Sequence, residues 1–290
     1  DSSAIPTILV SRMARKKVTV ALSADAGDEI FAGYNRYDYI SRYGNKIKAI
    51  PKPFRKLAAA SMERISSTSI PVLKNKANFH SRYDKLKNLL RDPSTSTLLK
   101  NLNQVFTEKD VSKLFNKEVG ILTTLHTSDE LKKEHYDDLS FMMAVDYQTY
   151  MLDDILQKVD RATMSCSLEG REPFLDQHII EWAAQLPSDY KYREGQKKYI
   201  LRQIVHKYVP KEIMERPKMG FGIPVESWLA NELKDLVQEY LGDASLKQHQ
   251  LFNNEEVKKI CDDFFNGRKE KYLKIWYLLM FQMWYEKWMK

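Results

Sequence analysis

The sequence predicts an α/β chain, with a partial parallel sheet followed by a predominantly helical remainder. Three observations carry this. Residues 18–22 (VTVAL) form a short continuous apolar run, the pattern of a parallel strand buried on both faces. Helical spacing flanks it on both sides, with Ile5, Ile8, Leu9 and Met13 before it and Ile30, Phe31 and Tyr34 after it. Beyond about residue 45 the apolar spacing is helical almost throughout.

In chain order, a helix is expected over 3–16, capped by Ser2 or Ser3, with Pro6 restricting its first turn. The strand over 18–22 leads into the turn SADAGDE (23–29), and a helix begins near Asp28. Pro51, Pro53 and Pro71 predict a loop-rich stretch between the sheet-bearing part and the helical part. Ser128 followed by Asp129, Glu130 and Leu131 reads as a helix start, with apolar spacing continuing through Leu139, Met142, Met143, Val145 and Tyr150. Further helices are expected over 153–165, 175–186, 197–208, 225–241, 254–265 and 272–289. The last carries Trp276, Trp284 and Trp288, an aromatic density suited to a core or a partner surface. No internal repeat or low-complexity segment is visible.

The 290 residues suffice for one large domain or two modest ones. No stretch approaches the roughly 20 apolar residues of a membrane span, and the opening DSSAIPT is not a signal peptide. The two cysteines, Cys166 and Cys261, lie far apart without zinc spacing, and read as buried, reduced thiols of a cytoplasmic protein. The net charge of +7 comes from 46 basic residues scattered among 39 acidic ones, with no finger, RRM or KH signature, so nucleic acid is not expected as a partner. The chain opens without an initiator Met or a preceding strand, as expected of a fragment or processed form.

Chemistry concentrates in three stretches. The first is the turn with Asp25, Asp28 and Glu29. A parallel strand delivers its C-terminal end to the crevice where open α/β sheets bind ligands. Carboxylates in a first helical turn are favoured by the helix dipole alone, which accounts for one of them. Three like charges close together repel unless a cation sits among them. Magnesium uses one or two carboxylates plus substrate phosphates, so a magnesium–nucleotide site fits. Gly27 would supply a left-handed conformation or a close backbone approach.

The second stretch, LDDILQKVDRATMSCSLEGREPFLD (152–176), is dense in charge. Lys158 and Arg161 lie three apart on one helix face, and Asp154 and Lys158 are spaced to pair. A solvated ion-pair helix would explain this, but Arg171 beside Gly170 could also fork onto a phosphate or carboxylate. The third is ERPKMGFGIP (215–224), where Lys218 precedes Gly220 and Gly222 in a loop able to close over phosphates. A lysine there is more often an ordinary surface residue.

Taken together and in this order, SADAGDEIFAGYNRY, VDRATMSCSLEGREPFLD and ERPKMGFGIP resemble the C-terminal synthetase domain of glutamine-dependent asparagine synthetases. The resemblance runs from residue 1 to about 230. It implies an ATP-pyrophosphatase fold (adenine nucleotide alpha hydrolase-like), with residues 1–290 forming part of that domain. The implied chemistry is activation of a carboxylate, usually that of aspartate, by ATP with magnesium. Ammonia released from glutamine in an N-terminal domain then displaces AMP to give an amide.

Carried over by position, Ser23, Ala24 and Gly27 would lie against ATP. Asp25 would sit where the family acid helps form or resolve the acyl-adenylate, and Asp28 would bind magnesium. Arg171 and Lys218 would neutralise the phosphates as pyrophosphate leaves. Ala24 and Ala26 stand where the family has glycine, and Gly170 where it usually has alanine. The phosphate loop of the SGGxDSS type and the glutaminase domain are both missing, so this chain as given is expected not to bind Mg–ATP properly. A homodimer is left open. An amidotransferase acting on a sugar acid or peptide carboxylate, or a non-catalytic helical interaction module, is the alternative reading.

Overall fold

The apolar run that marks the strand is ordered as β structure only over Val20–Leu22 in a computed structural model of the chain. The structure describes residues 1–65, 79–120, 124–134, 137–215 and 221–289. The elements that position the site are, in chain order, α1 (Ala4–Arg15), β1 (Val20–Leu22), α2 (Gly27–Ile30), α3 (Asp138–Asp146), α4 (Gln157–Met164), β2 (Glu169–Arg171), α5 (Gln177–Gln185), β3 (Tyr192–Arg193), β4 (Gln196–Lys197) and α6 (Tyr199–Val205). They belong to a first unit made of residues 1–57, 89–102 and 124–223; residues 58–88, 103–123 and 224–290 make a second.

β1 and β2 pair in parallel, with Val20 opposite Glu169, Ala21 opposite Gly170 and Leu22 opposite Arg171. The expectation of a strand buried on both faces is not met. Strand alternation puts Val20, Leu22, Glu169 and Arg171 on one face, and Val20 and Leu22 there are 37% and 72% exposed. β3 and β4 form an antiparallel hairpin whose two linking residues, Glu194 and Gly195, both have positive φ, as a tight hairpin turn needs. The sequence does not announce this hairpin, because Glu-Gly is not a common turn pair.

α1 packs against α4. Ser3 stands at the N-cap of α1, but its hydroxyl donates to Asp1, which also accepts from the Ser3 backbone N–H at 2.9 Å, and makes no cap bond. Lys158 Nζ reaches Asp1 Oδ2 at 3.3 Å, not Asp154 as its spacing predicted. Between α3 and α4 the chain widens into a π-helix over Tyr147–Leu156, which takes Asp154 off the four-residue register. The helix begun at Ser128 is two helices, Asp129–Glu134 and α3, the latter capped by Asp137. The core of the first unit is built on Tyr37, Ile40, Leu98, Leu99, Met142 and Val145, each almost fully buried.

In the second unit, Leu229, Val257, Phe264, Ile275 and Leu279 are buried among the helices Val225–Ala230, Asn254–Phe265 and Tyr272–Trp288. The single helix expected over 225–241 is broken after Ala230, where the Asn231 side-chain amide donates to the Ser227 carbonyl at 2.9 Å. Of the three tryptophans only Trp276 is buried; Trp284 and Trp288 are exposed. Pro53 does not mark a loop but sits in the first turn of the helix Lys52–Arg64, where its missing N–H costs nothing. Pro71 lies outside the described residues. Both cysteines are free and half-buried, and burial pushes the Cys261 thiol up to about 12.

Candidate active site

The parallel register fixes where the acidic turn begins. The Ser23 N–H donates to the Arg171 carbonyl at 2.9 Å, so the turn leaves the sheet beside the end of β2. Ser23 Oγ then donates to Asp25 Oδ2 at 2.5 Å and accepts from the Asp25 N–H at 3.1 Å, closing a small loop within the turn. Ala24 is exposed and Asp25 half-buried.

Ala26 is fully buried with φ 69°, in the left-handed region, which costs a residue with a Cβ about 1–2 kcal/mol. Thus one of the two alanines standing in for glycine is strained and the other is not. The left-handed conformation expected of Gly27 belongs to Ala26. Gly27 opens α2, and a Cβ there would meet the Phe174 ring at 3.2 Å. α2 spans only four residues, so the helix dipole invoked for Asp28 and Glu29 contributes little.

The three carboxylates do not converge. Asp25 turns to Ser23. Asp28 Oδ1 meets Lys198 Nζ at 2.6 Å, both side chains half-buried. Glu29 is buried and accepts a short hydrogen bond from the Tyr34 hydroxyl. Burial raises the Glu29 carboxyl above its usual range, with the Tyr34 bond opposing it. The repulsion expected of a shared cradle is relieved by separate partners. Among the described residues, no group of three or more His, Cys, Asp or Glu could hold a metal.

Two groups absent from the sequence reading line this site. Lys198 is brought to Asp28 by the β3–β4 hairpin, its own N–H donating to the Phe31 carbonyl at 3.1 Å and its φ at 53°. Gly33 leaves room for the pair, because a Cβ there would lie 1.8 Å from Asp28 Oδ1 and 2.3 Å from Lys198 Cε. Glu172 is the second. Burial, and then the facing charge of Asp25, raise its carboxyl above the usual range. The adjacent lysines after Gly195, just ahead of an apolar helix, were the one available signal for Lys198; nothing local pointed to Glu172.

Arg171 stands on β2 beside the turn, but its guanidinium is exposed and Nε donates to Glu169 Oε1 at 2.7 Å. Lys218 lies outside the described residues, while Phe221 after it is exposed. Behind the turn, a buried network braces the chain. Arg36 Nε and the Tyr37 hydroxyl donate to Asp146 Oδ2 at 2.9 and 2.5 Å, and the guanidinium lies 3.9 Å from the Tyr34 ring centre and 4.9 Å from that of Tyr150.

Comparison with known proteins adds a family. The family model described as asparagine synthase matches residues 1–286. Asparagine synthetase [glutamine-hydrolyzing] 1 of Bacillus subtilis is 30% identical over 290 residues, covering 98% of this chain and 43% of that protein. A provisionally named glutamine-hydrolysing asparagine synthetase of Mycobacterium tuberculosis H37Rv is 28% identical over 295 residues, 98% of this chain and 42% of that protein. A third, from Methanocaldococcus jannaschii, is 65% identical over a 34-residue stretch, 12% of this chain and 7% of its own. The chain therefore spans less than half the length of the first two.

Proposed function

We propose, from the premise that the chain belongs to the asparagine synthase family, that it is the synthetase part of an ATP-dependent amidotransferase. On this reading it has the ATP-pyrophosphatase fold, adenylates a carboxylate, that of aspartate first, and passes ammonia derived from glutamine to the acyl carbon. The relatives' greater length supports a glutaminase portion elsewhere in the whole protein. A cytoplasmic location is part of the same proposal.

The observation that carries the reading is the Asp28–Lys198 pair at the C-terminal end of the parallel strands, where α/β folds place their ligands. Asp28 supplies one carboxylate, which fits a magnesium ion that keeps water and takes its remaining ligands from phosphates. Bound there, such an ion would neutralise phosphate charge. Lys198 is a half-buried ammonium beside the same site, able to turn from Asp28 to a phosphate oxygen and hold the departing pyrophosphate. Ser23 and Ala24 are the nucleotide contacts of this reading, Ser23 after its hydroxyl exchanges Asp25 for the ligand. Asp25, next to Ser23 and facing Glu172, is the acid that would serve the acyl-adenylate on this reading. Arg171 and Lys218 are the further cations of this reading, Arg171 after exchanging Glu169 for phosphate.

The test is pyrophosphate release by the full-length protein with aspartate, ATP and glutamine. Asp28→Asn should abolish it, and Lys198→Met should lower it about 10²-fold. Unchanged release in both would reject the reading in favour of a non-catalytic module. AMP formed without asparagine would move the acceptor to another carboxylate.

A further inference from the structure

A cavity of about 300 Å³ in the first unit lies against α2, α3, the π-helix and α5. Its walls include Ile30, Met143 and Ile180, with Gln148, Glu29 and Lys191 as its principal polar groups. Lys191 is the unusual member. It is 3% exposed, and the charge that acts on it is that of Asp137, felt through space. A buried ammonium without a counter-ion is costly, and natural proteins rarely keep one unless something pairs with it.

The nearest compensating charge does not fill that role. Asp137 is taken by other donors: the Ser140 N–H at 2.9 Å, the Ser140 hydroxyl at 3.0 Å and the Ser188 hydroxyl at 2.7 Å. These donors outweigh its burial and hold its carboxyl below the usual range. Lys191 feels Asp137 only through space, and burial pulls its ammonium below the usual lysine range. The wall formed by the π-helix strengthens the case, since such widened turns are frequent at functional sites.

We propose that this cavity binds a small organic monocarboxylate with a branched apolar body, its carboxylate on Lys191 Nζ and its alkyl part against Ile30, Met143 and Ile180. One ammonium matches one negative charge. Glu29 on the same wall disfavours a dianion such as phosphate. At about 30 Å³ of liquid volume per water, the space suits a ligand of up to about ten non-hydrogen atoms. The site is separate from the Asp28–Lys198 pair, although α2 carries residues of both.

The test uses the full chain with labelled isoleucine and methionine methyls, followed by NMR. Isovalerate should shift Ile30, Met143 and Ile180 saturably, and bind at least tenfold more tightly than the neutral 3-methylbutan-1-ol. Lys191→Met should erase that preference while keeping the methyl spectrum. Equal binding of acid and alcohol, shifts confined to other methyls, or an undiminished preference in Lys191→Met would each overturn the proposal. The acid–alcohol comparison on the unsubstituted chain decides the matter even if Lys191→Met does not fold. None of these readouts depends on ATP, so failure here is distinct from failure of the amidotransferase reading.

Discussion

The acidic turn and the strand β2 lie side by side in the first unit, and both are dense in charge, yet they treat charge in opposite ways. In the turn each carboxylate has a different partner: Ser23 for Asp25, Lys198 for Asp28, Tyr34 for Glu29. Two of those partners come from outside the turn, and Glu29 is buried. On β2 the charges pair with their own neighbours in solvent, Arg171 with Glu169 two residues back. On the α4 helix ahead of it Arg161 does the same against the adjacent Asp160, whereas Lys158 reaches the distant Asp1. Charge density in a sequence therefore does not distinguish a site from a solvated surface. Burial, and a partner drawn from a distant element, do.

Five measurements break or sharpen this contrast. The largest effect is expected behind the turn. Asp146→Ala removes the fully buried acceptor of Arg36 and Tyr37 and strands a buried guanidinium, so urea unfolding should show a loss of about 3–5 kcal/mol. An effect under 1 kcal/mol would mean that the network is solvated. Gly33→Ala comes next, since its methyl cannot coexist with the Asp28–Lys198 geometry. About 1–3 kcal/mol should be lost, together with pyrophosphate release in the full-length protein.

Ala26→Gly works in the other direction. Relief of the left-handed strain outweighs the added chain entropy of glycine, and stability should rise by up to about 1 kcal/mol by thermal unfolding. A smaller, pH-graded effect belongs to Glu29. Its carboxyl is raised in the folded state, so its favourable contribution is present below the ordinary carboxylate range and is lost as pH rises through the folded value. Glu29→Gln should therefore gain stability relative to the parent as pH is raised from 4 towards 7, and unfolding curves across that range would show a flat difference if burial were not the cause. Smallest of all, Arg171→Gln removes an exposed pair and should change stability by no more than about 0.5 kcal/mol. If the same substitution sharply impairs pyrophosphate release, Arg171 leaves Glu169 during turnover; if release is unaffected, the surface reading of β2 is right.

Part of the molecule could be read residue by residue. The helix over Asn254–Phe265 stands where it is expected, and the structure shows Asn253 capping it and Val257, Ile260 and Phe264 buried at helical spacing. The strand was found, but its exposure was misjudged, because an apolar run does not say which face is covered. The long helices predicted over 128–150 and 225–241 failed at their middles. There the side chains of Asp137 and Asn231 redirect the backbone within an otherwise continuous apolar pattern. In the candidate site, Asp25 and Asp28 were visible from their place after a strand, whereas Lys198 and Glu172 were not.

What the sequence determined by itself is what neighbouring residues can settle among themselves: the periodicity of helices, the turn after the strand, and the three ordered motifs that carry the family. Such features depend on local backbone preference and side-chain spacing. Only the tertiary structure decided that Glu169–Arg171 would pair with Val20–Leu22, that Lys198 would reach Asp28, and that Asp146 would brace an arginine 110 residues away. These contacts follow from how the whole chain closes on its core, and burial there gives identical side chains different partners, charges and roles.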